Sequence, residues 1–164
     1  MLKYRALLAG VVTLIFGLSG SHRTLAATSD ACSLLTVSEV NSALEIQSLP
    51  GKPAFAGIPK ACIWSDDADA SISNRRVTLS INSSTTAFEI MKSSPRLTIE
   101  PASGIGDDAF YEIPKGSEAP LLQVRKGGSF FTLRILNGLK SKPFTHDEVK
   151  AKEATLAKAA VGRF

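Results

Sequence analysis

The run LLQVRKGGSFFTLRIL, Leu121 to Leu136, constrains the fold of this chain more than any other stretch. Two segments of strand length flank Gly127-Gly128, a pair suited to a two-residue primed turn, because such turns need positive φ at one or both central positions. That turn pairs Lys126 with Ser129 and thereby sets every partner beyond it. Val124 falls opposite Phe131 and Leu122 opposite Leu133 on one face; Arg125 opposite Phe130, Gln123 opposite Thr132 and Leu121 opposite Arg134 on the other. The first face is apolar throughout, so register and burial agree. An antiparallel hairpin with one face on a core is the expectation.

Other segments extend this reading. In RRVTLSIN the apolar Val77, Leu79 and Ile81 alternate with Arg76, Thr78 and Ser80, the pattern of a half-buried strand. ACIWSD, Ala61 to Asp66, and DAFYEI, Asp108 to Ile113, are also of strand length, and the polar run DDADASISN reads as a loop. Two helices announce themselves by capping boxes: Thr36 with Glu39, with Leu35 placed to staple onto Val40, and Thr145 with Glu148, with Phe144 placed to staple onto Val149. The first should end near Leu44 and the second near Val161. A third helix is expected over about Thr86 to Ser93, stopped by Pro95. The order helix, strands, helix, strands, helix predicts an α+β domain: an antiparallel sheet of about five to six strands with the helices packed on one side.

The first residues carry an address. Lys3 and Arg5 precede an apolar block from Leu7 to Leu18, and small residues follow at Ala26 and Ala27, the three-part layout of a secretory signal peptide. The block is short of the roughly 20 residues that a membrane-spanning helix needs. Residues 1–26 are therefore expected to be removed by cleavage at Ala26 or Ala27, leaving 27–164 as one extracytoplasmic domain, secreted or periplasmic, without a transmembrane segment; an uncleaved anchor is the alternative. Losing Lys3, Arg5 and Arg23 and no acid takes three from the net charge of +4 and leaves +1. The basic balance thus belongs mostly to the leader, and no nucleic-acid partner is expected. In an oxidising compartment the two cysteines, Cys32 and Cys62, read as one disulfide. A metal pair or a catalytic thiol is the rival reading, but two cysteines this far apart without a nearby histidine lack ligand spacing.

SGIGDDAFYEI is the stretch that most invites a catalytic reading. A phosphate-cradling loop needs a strand before its glycines and a helix after them, whereas here a strand follows. Adjacent carboxylates in extended chain point to opposite faces, so Asp107 and Asp108 do not converge on a substrate. The expectation is a turn in which Gly104 and Gly106 supply backbone freedom and Asp107 or Asp108 bonds local amides. His146, at a helix start, reads as a solvated residue, and Trp64 as packing around the disulfide. No catalytic set, metal site or cofactor is assigned.

The motifs DACSLLTVSEV, then CIW, then an alternating strand, an AF-containing helix and GIGDDAFY resemble a family of secreted and lipid-anchored bacterial domains of unknown function. The resemblance covers roughly Asp30 to Val161. It implies an extracytoplasmic α+β domain akin to sensor or ligand-binding domains, and carries over no catalytic residue. The chain departs from the lipid-anchored members in lacking the anchoring cysteine. The expectation is an exported, non-enzymatic binding or sensor-like module. Its contact surface is the polar, basic and aromatic hairpin face of Gln123, Arg125, Phe130, Thr132 and Arg134. From Leu121 onward the chain holds nine Lys or Arg against three acids, so that face should draw an anionic ligand or an acidic protein partner. The alternatives are a small hydrolase using carboxylates such as Asp107 or Asp108, and a structural envelope protein.

Overall fold

The computed structural model describes residues 30–68, 75–115, 119–139 and 142–164. The leader, residues 69–74 of the expected loop, and the expected cleavage site lie outside the described residues. A short 3-10 turn, Ala31–Ser33, leads into α1, Val37–Leu44. Strands β1, Lys52–Phe55, β2, Ile58–Ser65, and β3, Arg76–Asn82, follow, then α2, Thr85–Lys92. Strands β4, Leu97–Pro101, β5, Asp108–Pro114, β6, Leu121–Lys126, and β7, Ser129–Leu136, precede α3, His146–Val161. All seven strands form one antiparallel sheet in the order β1-β2-β3-β7-β6-β5-β4.

The fold class is α+β, but the sheet has seven strands rather than five to six. The two that the sequence hides are β1 and β4, the edges, and each carries a proline, Pro53 and Pro101. Proline lacks the ladder donor and is tolerated at an edge, so it suppresses the strand signal where strands can still form. The first and last helices start where their capping boxes place them: Glu39 N–H donates to Thr36 Oγ1 at 3.2 Å and Thr36 N–H to the Glu39 carboxylate at 2.8 Å, with the same reciprocal pair at Thr145 and Glu148. Helix α2 begins one residue before the expected start, because Ser84 caps it through Ala87 N–H.

Successive residues of β7 separate the two faces. Phe131, Leu133 and Ile135 join Cys62, Trp64, Val77, Leu79, Leu122 and Val124 in the main core, which α1 and α3 cover with Val40, Leu44, Val149 and Leu156. Phe130 points the other way and packs with Phe88 of α2 and Phe110 of β5 in a separate cluster. The helices therefore cover both faces, not one side. The reason lies in the outer face itself, where Phe110, Phe130 and Ile99 offer an apolar patch that the Ala87, Phe88 and Met91 side of α2 matches. The Phe88 ring meets Phe110 and Phe130 edge-on at 4.9 and 5.5 Å between centroids.

The disulfide joins Cys32 to Cys62 across 30 positions and ties the start of the fold to β2, beside the buried Trp64. The carboxyl end is tied down as well. Phe164 packs edge-on against Phe131, and Arg163 donates twice to Glu39, whose carboxyl this guanidinium holds down at about 2.

Candidate functional site

The hairpin register is that expected from Gly127-Gly128: Lys126 pairs with Ser129, Val124 with Phe131 and Leu122 with Leu133. Only Gly127 takes a positive φ, 60°, as the first central residue of a type II′ turn does. The SGIGDD stretch docks onto this same turn. Asp107 N–H donates to the Arg125 carbonyl at 2.9 Å, and its carboxylate accepts from Gly127 N–H at 2.7 Å. Gly106 has φ 61°, and a Cβ there would run into the Arg125 carbonyl oxygen, so the loop can approach the hairpin this closely only as glycine. Gly104, φ 75°, meets nothing within 4 Å. Asp108 turns away from Asp107 and pairs with Lys92 at 2.6 Å and Arg125 at 3.6 Å. The two carboxylates thus hold different elements, one the hairpin turn, the other helix α2.

The five residues of the expected contact face share that face but not one environment. Helix α2 divides them. Phe130 is buried beneath it, and Arg125 is drawn to its flank, where the guanidinium bonds Glu89 at 3.2 Å and stands 5.4 Å from the Phe88 centroid rather than over Phe130. Gln123 is buried, and its amide is fully used. Its Nε2 donates to Glu112 at 2.9 Å and lies 3.7 Å from the Met91 sulfur, while its Oε1 accepts from Thr132 Oγ1 at 2.7 Å. Arg125, Phe130 and Gln123 are therefore the seat of α2, not an open surface. Sequence reasoning missed this because α2 and β7 are about forty residues apart, and nothing local says on which face a short helix lands.

Thr132 and Arg134 remain at the margin of the covered region. Past them the outer face continues onto β3 and β2, where Thr78 pairs with Arg134, Ser80 with Thr132, Ile63 with Thr78 and Ala61 with Ser80. Ser80 is exposed and Ile63, Thr78, Thr132 and Arg134 are half-buried, in contrast to the buried Phe110, Gln123 and Phe130. Lys52, exposed, adds a second cation opposite Ile63, and a small cleft of about 150 Å³ opens there between Ile63, Leu49 and Pro50. The Arg134 Nε is buried and has no hydrogen-bond partner among the described residues. This half of the face thus presents hydroxyls and guanidinium donors between isolated aliphatic side chains. Its extension through Thr78 and Ser80 was legible as the polar positions of RRVTLSIN, once β3 is known to lie beside β7.

No family model, curated protein or solved structure matches the chain. Among the described residues, no helix is long and apolar enough to cross a membrane.

Proposed function

We infer that the protein is an exported binding module that engages an acidic protein partner through the half of its outer sheet face that lies beyond α2. The observation that carries this reading is the row Ile63, Thr78 and Arg134, continuous across three strands, half-buried and not capped by α2. A flat surface with guanidinium and hydroxyl donors and scattered aliphatic contacts has the chemistry of a protein–protein interface, and its cations favour an acidic partner. Arg134 is the side chain best placed to meet a carboxylate, since its planar fork can bond both oxygens. Export is supported by the leader and by the Cys32–Cys62 disulfide, which suits an oxidising compartment. The resemblance to secreted and lipid-anchored bacterial domains of unknown function points to the same compartment.

The test is photo-crosslinking in the native envelope from a probe placed at Ser80, against a control probe at Ser38 on α1. A Ser80-specific adduct that disappears on Arg134→Glu and weakens with added salt is the expected result. Equal adducts from both probes, or a Ser80 adduct indifferent to Arg134→Glu in a folded variant, would overturn the assignment.

A further inference from the structure

One straight row of side chains constrains the partner of this surface further. Arg134 on β7 pairs with Thr78 on β3, Thr78 with Ile63 on β2, and Ile63 with Lys52 on β1. Residues directly opposite one another in a sheet share a face, so all of them stand on the outer face, in line across the strands. Successive steps of about 4.8 Å between neighbouring strands put the two ends of the row about 14 Å apart. Each end is a cation, and the middle is a hydroxyl beside an aliphatic side chain.

Elsewhere beside the sheet, cations hold internal acids. Arg125 bonds Glu89 and Asp108, Lys92 bonds Asp108, and Lys150 bonds Glu100. Arg134 and Lys52 make no ion pair among the described residues. Arg134 is half-buried with its Nε enclosed, so its guanidinium is held in place, whereas Lys52 is exposed and its long stem can swing. Beside Lys52, the cleft of about 150 Å³ between Ile63, Leu49 and Pro50 is on the scale of one aliphatic side chain. Asp67, which also lines that cleft, already has a partner of its own.

Building on the binding surface inferred above, we propose that the acidic partner crosses the strands as an extended segment, with carboxylates about four residues apart and an aliphatic residue midway. Extended chain advances about 3.3 Å per residue and sends alternate side chains to the same side. Positions i, i+2 and i+4 therefore all face the sheet, and the outer two stand about 13 Å apart. That length matches the row. The first carboxylate meets the Arg134 fork, the last meets the Lys52 ammonium, and the middle side chain rests on Ile63 at the mouth of the cleft. Adjacent acids reach one cation only, since consecutive side chains of an extended segment face opposite ways. A helix returns a side chain to the same face after about 7 or 11 residues, roughly 10.5 or 16.5 Å on, and fits the row less closely.

The probes are the end-capped peptides Glu-Ser-Val-Ser-Glu and Glu-Glu-Ser-Val-Ser, identical in composition, titrated at low salt into the disulfide-bonded protein and followed by NMR of backbone amides and methyl groups. Both should shift Thr78 and Ile63 along saturating curves, with the spaced peptide binding about two- to fivefold more tightly, the contribution of one exposed ion pair. Lys52→Gln should remove that advantage and leave the adjacent-acid peptide little changed. Equal affinities, an advantage that survives Lys52→Gln, or no saturable shift on the row would each overturn the extended segment. In any of these cases the Ser80 adduct separates the two claims: an adduct still lost on Arg134→Glu leaves an acidic partner on this face, and the absence of such an adduct removes both.

Discussion

The two faces of β7 alternate residue by residue and yet obey different rules. Phe131, Leu133 and Ile135 are all buried under α1 and α3, whereas Phe130, Thr132 and Arg134 pass from buried to half-buried along one strand. On the inner face alternation alone decides burial, because the core covers the central strands. On the outer face alternation only nominates a residue, and the reach of α2 decides its exposure. The buried polar groups show the same contrast. Outer-face Gln123 has partners for both ends of its amide, while Glu153, at 0% exposure against the inner face, leaves one oxygen unpaired among the described residues. A covering element that comes and goes along a face can be built around polar groups; a continuous core keeps one only at a cost.

The largest expected effect sharpens that contrast through pH. Burial pushes the Glu153 carboxyl up to about 8, opposed by the Ile135 N–H and by the charge of Arg134. In the unfolded chain the same group ionises near its ordinary 4.5. Below that value both states hold the proton and there is no penalty. As pH rises from about 4.5 to about 8 the unfolded chain releases it first, so folding stability falls, by on the order of 5 kcal/mol over the window. Denaturant midpoints measured from pH 4.5 to 9 should show this decline in the wild type and lose most of it in Glu153→Gln. Parallel curves for the two proteins would mean that the inner face does not hold a protonated acid.

Next in size is a direct comparison of neighbours on opposite faces. Phe131→Ala removes a ring from the main core and should cost about 4 kcal/mol; Phe130→Ala, in the three-ring cluster beneath a short helix that can settle inward, should cost about 3 kcal/mol. Urea unfolding of each variant checks the order. A larger loss at Phe130 would make α2, rather than the main core, the anchor of the sheet.

The glycines of the SGIGDD loop separate backbone strain from contact. Gly106→Ala faces both a left-handed φ and the Arg125 carbonyl and should lower stability by about 2 kcal/mol; Gly104→Ala faces the strained φ alone and should lower it by about 1 kcal/mol. Melting temperatures would show it, and equal losses would mean that the hairpin contact contributes nothing.

The smallest stability effect is expected on the half of the outer face that lies beyond α2. Arg134→Glu, at a half-buried side chain with no described hydrogen bond to lose, should shift unfolding by about 1 kcal/mol or less, while abolishing the Ser80 crosslink. Arg125→Glu, by contrast, sets a like charge beside Glu89 and Asp108 and should loosen α2. Faster amide exchange over residues 85–92 would report that loosening.

The sequence by itself determined the features that depend on neighbours a few positions away. The capping boxes at Thr36 and Thr145 place two helix starts; Gly127-Gly128 and the flanking alternation set the β6–β7 register; the SGIGDD loop is a glycine turn with its aspartates on backbone and structural partners. Each rests on hydrogen bonds and dihedral preferences within a single turn, which local residues specify. Tertiary structure alone decided the rest: that β1 and β4 complete the sheet despite their prolines, that β3 lies beside β7 and so joins Thr78 to Arg134, and that α2 crosses to the outer face and buries Phe130 and Gln123. It also turned His146, the residue next to a well-marked helix cap, into part of a cleft wall. The physical reason is the same throughout. Burial is set by which distant segment packs on a surface, and that choice minimises exposed apolar area over the whole molecule, a quantity that no short stretch of sequence contains.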